Sequence, residues 1–132
     1  MGFDLHRGDD MFSVSLYTWH RAYALAIEGG WEPRGTLPPK GLSKKERTEW
    51  QGTYDSNDGQ FIAADDAANM AAALEKMVTS LPPPVAADPA PFDGVSLSGV
   101  RVDPCTYFTV ENNRKILKLL IEFLRGGACA IW

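Results

Sequence analysis

The chain has 132 residues, with 13 Lys and Arg against 17 Asp and Glu, for a formal charge of −4. At 45% hydrophobic and 23% charged residues it has the make-up of one soluble globular domain, residues 1–132, long enough to bury a core without a metal or a disulfide. The acidic balance argues against nucleic-acid binding, which needs clustered Lys and Arg to neutralise phosphates, and no apolar run approaches the roughly 20 residues of a membrane-spanning helix.

In chain order, residues 2–6 alternate apolar and polar, as a short strand does. The first ten residues lack the basic and apolar regions of a secretory signal, so a cytoplasmic location is expected, with Cys105 and Cys129 kept as thiols. Residues 12–28 carry the first helical period. Leu16, Trp19, Tyr23 and Ile27 share a face, Asp9 and Asp10 favour the helix start through its dipole, and Gly29 and Gly30 supply the stop.

Residues 31–49 combine prolines and glycines with the charged run Lys44, Lys45, Glu46, Arg47 and Glu49, which suits a loop or a short solvated helix. The basic and acidic side chains of that run largely cancel. A second helix is predicted over 65–80, with Ala67, Met70, Leu74, Met77 and Leu81 on one stripe. Asp65 and Asp66 stand in its first turn, where the dipole favours carboxylates. Pro82, Pro83 and Pro84 end it.

Residues 82–107 hold six of the nine prolines and read as a long connection. A third helix takes Thr109 as N-cap and runs to Arg125, with Val110, Ile116, Leu119, Leu120, Phe123 and Leu124 as its apolar face and Arg114, Lys115, Lys118 and Arg125 mostly off it. Gly126 and Gly127 close this helix, and residues 128–132 form a short extended piece. Strands at the two chain ends are expected to pair, because a lone strand leaves its backbone groups unsatisfied. The fold class is therefore α+β, mainly helical, with three amphipathic helices packed together and a short sheet formed by the two termini.

The richest stretch for recognition is residues 50–60. Trp50 and Tyr54 offer flat surfaces for stacking, and Asn57, Asp58 and Gln60 offer polar groups just before a helix N-terminus, so a small polar ligand is expected there, with Trp19 and His20 as neighbours. The competing reading is a tight turn built by Asn57, Asp58 and Gly59. A calcium loop fails on register: placing Gly59 at the invariant glycine puts Tyr54 first, and starting from Asp55 leaves the ligand ladder one residue short. His6, His20, Cys105 and Cys129 show no paired zinc spacing. Gly94, Ser96, Ser98 and Gly99 miss the hydrolase elbow by one position. No phosphate-binding or dinucleotide fingerprint is present, and no cofactor is implied.

Met1, Gly2, Phe3, Asp4 and Leu5 at the start, Asn57, Asp58 and Gly59 before an Ala-rich helix, and Phe108 to Asn112 followed by Phe123, Leu124, Arg125, Gly126, Gly127 and Ile131 carry a resemblance over about half the chain. In their order and spacing these blocks resemble a family of small uncharacterised bacterial proteins. That resemblance implies architecture and a bacterial origin, and assigns no catalytic residue. The expectation is a non-catalytic binding or regulatory module for a protein partner or a small polar ligand. The rival is a small enzyme using His20 or Asp58 as general base. Trp31, Trp132 and the proline-rich loops, if exposed, would favour a homo-oligomer.

Overall fold

The computed structural model describes residues 2–85 and 104–132. The chain opens with a hairpin of β1 (Gly2–Arg7) and β2 (Asp10–Ser15), closed by the pair Arg7 and Asp10. Gly8 holds φ +59° and Asp9 a negative φ, the arrangement of a two-residue turn with glycine at its first central position. Asp9 and Asp10 thus serve a turn, not a helix start, and the helix predicted from residue 12 begins four residues later. Residues 12–15 are a strand because Phe12 and Val14 alternate onto the face already occupied by Leu5 and Phe3, their cross-strand partners. Ser15 then caps α1 (Leu16–Glu28), its hydroxyl accepting the Thr18 N–H at 3.1 Å.

The two chain ends pair as expected: β4 (Cys129–Ile131) lies antiparallel to β1, with Leu5 opposite Ile131 and His6 opposite Ala130. The sheet is larger than the termini alone. Its order is β2-β1-β4-β3, with β3 (Gln60–Ile62) antiparallel to β4, and Leu37 bonded to the outer edge of β3 through Phe61. The molecule is accordingly α+β with a four-stranded antiparallel sheet, and helices take roughly half of the described residues, fewer than a mainly helical fold.

The long helices share one core with the inward side chains Phe3, Leu5, Val14, Ile62 and Ile131 of this sheet. The α3 helix (Ala64–Ser80) buries Ala67, Met70 and Leu74 as its stripe predicts. Its Ala73 lets α1 come close: a Cβ on Gly29 would stand 2.6 Å from the Ala73 carbonyl oxygen, so only glycine ends α1 there. On α1 the buried face is Trp19, Ala22, Leu25 and Ala26, while Ile27 of the predicted stripe is exposed.

The α5 helix (Glu111–Arg125) starts two residues after the predicted cap; Val110 stands at its N-cap, and Thr109 instead bonds back to the Thr106 carbonyl. Leu117, Leu120, Ile121 and Leu124 face the core and Leu119 faces solvent. Arg114, predicted off the apolar face, is buried, because its guanidinium binds the carbonyls of Phe108 at 2.6 Å and Pro82 at 2.7 Å. Arg7 closes the other end of α5, donating to the carbonyls of Phe123, Gly127 and Ala128 with its guanidinium over the Phe123 ring.

Two short helices complete the described fold, one with no buried residue and the other with Tyr107 buried. The predicted charged run forms α2 (Lys44–Thr48) with a Ser43 and Glu46 capping box, and α4 (Pro104–Tyr107) lies within the predicted proline-rich connection. Gly94, Ser96, Ser98 and Gly99 lie outside the described residues.

Candidate functional site

Residues 50–60 fold back on the protein instead of opening to solvent. The Trp50 indole N–H meets both oxygens of Thr36 at 3.1 Å, and Thr36 in turn donates to the Thr53 carbonyl. Tyr54, expected as a stacking surface, is 4% exposed; its carbonyl accepts the Trp19 indole N–H at 2.9 Å, and its hydroxyl accepts the Gly35 N–H at 3.0 Å while donating to Asp66. Gln60 is fully buried. Its amide donates to the carbonyls of Thr53 and Ser56, and its oxygen accepts the Asp58 N–H. Trp19 is fully buried as well. Of the seven residues expected to recognise a ligand, Trp19, Tyr54 and Gln60 are therefore internal braces, Trp50 and His20 are half-buried, and Asn57 and Asp58 stand exposed at the tip.

Asp65 and Asp66 take opposite roles. Asp65 stays at the surface, pairing with Arg34 and accepting the Asp66 N–H. Asp66 has no exposed surface and receives the Trp31 indole N–H at 3.0 Å and the Tyr54 hydroxyl. Around this carboxylate the rings of Tyr23, Trp31 and Tyr54 meet pairwise at centroid distances of 5.3–5.5 Å. Burial, then the bond to Asp66 and its charge, push the Tyr54 hydroxyl well above the usual phenol range. Tyr23 is pushed up mainly by burial, with Asp55 and Asp66 adding to it. Tyr54 consequently remains a donor at neutral pH and has no role as a base. The knot ties α1, the loop before β3 and the first turn of α3 into one body.

His20 Nε2 lies 3.6 Å from Asp55 Oδ1, an approach within ion-pair range but beyond a hydrogen bond. Neither His20 nor Asp58 lines the open groove beside Trp31, whose walls include Arg34, Asn69 and Lys76, nor the grooves at Pro38 to Thr48 and along the β1 and β2 ends. Among the described residues, no three His, Cys, Asp or Glu side chains converge as a metal site would need. Neither Cys105 nor Cys129 is in a disulfide; burial pushes the Cys129 pKa up to about 11, with Arg7 opposing the shift.

The surface that the sequence reading did not anticipate is the sheet face turned away from the helices. Strand alternation sends Phe3, Leu5, Val14, Ile62 and Ile131 into the core, so their neighbours point outward. The register aligns these neighbours in a continuous row: Met11, His6, Ala130, Phe61 and Leu37. A second row runs Ser13, Asp4, Trp132 and Gly59, with Asp4 held by the Ser13 hydroxyl at 2.7 Å. Met11 is 57%, Leu37 52% and Trp132 54% exposed, and Phe61 packs outside the core cluster. Trp132 lies over Gly59, where a Cβ would come within 2.6 Å of the indole. The alternation of residues 128–132 already contained this signal: Cys129 and Ile131 inward require Ala130 and Trp132 outward.

No protein-family model, curated protein or solved structure matches the chain.

Proposed function

We propose that the protein is a non-catalytic binding module that meets another protein through the sheet face opposite the core it shares with α1, α3 and α5. The observation that carries this reading is that Met11, Leu37 and Trp132 on this face are each more than half open to solvent, with half-buried Phe61 between Leu37 and Ala130. Exposed clusters of this type are uncommon on monomers unless something covers them, and Trp, Met and Phe are enriched where partners dock. The small polar ligand expected at residues 50–60 finds less support, since Tyr54, Gln60 and Trp19 already spend their polar groups on one another. The enzyme reading has only the His20 and Asp55 approach, and neither residue lines the grooves described above. A bacterial cytoplasm is the proposed setting, because a reducing compartment keeps Cys105 and Cys129 as thiols.

Photo-crosslinking tests the surface. A photoreactive residue at Leu37 or Trp132 should capture the same protein in cells, and one at Glu122 on the exposed side of α5 should not. With that captured protein purified, Trp132→Ala should weaken binding by about 30-fold, the effect of losing one central aromatic anchor. Equal capture from Glu122, or binding indifferent to Trp132→Ala, would overturn the reading.

A further inference from the structure

The two edges of the sheet differ. On the β3 side, Leu37 exchanges both backbone bonds with Phe61, which covers that edge. On the β2 side, nothing among the described residues pairs with the outer edge. The bond directions can be followed strand by strand. Asp4 exchanges both of its backbone bonds with Trp132, so its N–H and C=O point toward β4 and away from its β2 partner Ser13. In an antiparallel ladder, opposed residues either bond each other or both point away, and the pattern alternates. Ser13 and, two residues earlier, Met11 therefore turn their N–H and C=O groups outward. Both residues are exposed.

Natural edges of this length are usually guarded by lysine, proline or a bulge. The β2 strand, Asp-Met-Phe-Ser-Val-Ser, has none of these: its one charge is Asp10, and its pairing with β1 is unbroken from Gly2 and Ser15 to Arg7 and Asp10. The strand also matches itself. In an antiparallel pairing of two copies about a two-fold axis at Phe12, Met11 of each copy faces Ser13 of the other, and the four outward groups on each side find partners. That register sets Asp10 against the other copy's Val14, so no like charges are opposed, and sets the two Phe12 rings together on the inner face, beside the Phe123 ring on which Phe12 already stacks. It also keeps clear of Leu16, where α1 begins.

We propose that β2 is a self-association edge, at which a second copy of this chain adds its own β2 antiparallel and extends the sheet across a two-fold axis. One six-residue strand offers much less than the roughly 800 Å² per partner of a standard stable interface, so the dimer is reversible and grows with concentration. Met11 belongs to both surfaces, but Trp132, Phe61 and Leu37 lie away from this edge, so a failure here leaves the partner surface at those three residues standing, and the reverse also holds.

Sedimentation equilibrium and amide hydrogen exchange on the full chain test the edge together. The average mass should rise with concentration, and the amides of Met11 and Ser13 should gain protection in step with it. Ser13→Pro removes an outward N–H without touching a β1 bond, and should leave a monomer at every concentration. Ser13→Lys, whose ammonium can still meet Asp4, serves as a second variant should the proline disturb folding, and it too should be monomeric with native circular dichroism. Trp132→Ala should dimerise as the parent does. A parent chain that stays monomeric throughout, a dimer whose Met11 and Ser13 amides exchange freely, or a dimer that survives both Ser13 variants would overturn the proposal.

Discussion

A carboxylate without solvent contact persists only where fixed donors replace its water, and Asp66 has the Trp31 indole and the Tyr54 hydroxyl in that role. Asp66→Ala would strand both donors in the core, so chemical denaturation should show a loss of about 3 kcal/mol. Raised phenol and thiol pKa values weaken the fold at alkaline pH, with Tyr23 adding to the two larger shifts. The Tyr54 hydroxyl and the Cys129 thiol both hold their protons more tightly in the folded chain than in the unfolded one. The unfolded state ionises first, so their contribution to stability is complete at neutral pH and is lost as pH rises. For Cys129 the loss begins near the ordinary thiol value of about 9 and is complete above about 11. Stability measured against pH should fall through that window and fall less steeply in Cys129→Ala. At neutral pH a thiol reagent should modify half-buried Cys105 quickly and Cys129 slowly. Little of this was legible from composition. The sequence placed Asp65 and Asp66 in a helix start, but which of two adjacent carboxylates turns inward depends on Trp31 and Tyr54, whose distance from α3 no local pattern reveals.

Among the elements, α3 was legible almost to the residue because its alanine-rich stripe has one period and its end is marked by three prolines. The start of α1 was not. Phe12, Leu16 and Trp19 are spaced as one helix face would be, while Phe12 and Val14 are spaced as a strand, and the choice is made by β1, which the turn at Gly8 and Asp9 returns alongside. Ser15 marks the real boundary. Removing its cap in Ser15→Ala should cost about 1 kcal/mol in thermal or chemical unfolding. The same truncation at Ser43 should melt only α2, which buries no residue, and leave the global transition where it is. Peptide-level hydrogen exchange distinguishes the two cases.

At the scale of the molecule, one face of the sheet packs into the core shared with α1, α3 and α5, and the other carries Met11, Leu37 and Trp132 in the open, with His6 and Phe61 half-buried and Ala130 buried between them. Pairing of the termini followed from backbone satisfaction, so part of the sheet was legible; β2 and β3, which widen it into a surface, depend on contacts distant in sequence. The burial of Tyr54 and Gln60 within residues 50–60 was not legible for a related reason. Aromatic and amide side chains suit a ligand site and a buried polar brace equally well, and only the positions of Gly35, Thr36 and Asp66 decide between them. Trp31, expected to leave apolar surface exposed, is 4% exposed within that brace, so of the two tryptophans named for self-association only Trp132 remains at the surface.

Exchange of the tryptophan indole protons into deuterated water, followed by nuclear magnetic resonance, tests the closed corner and the open sheet face in one spectrum. Trp19 and Trp31, bonded to the Tyr54 carbonyl and to Asp66, should keep their signals long after transfer, and Trp132 should lose its signal at once. Rapid loss at Trp19 or Trp31, or a Trp132 signal as persistent as theirs, would contradict the account.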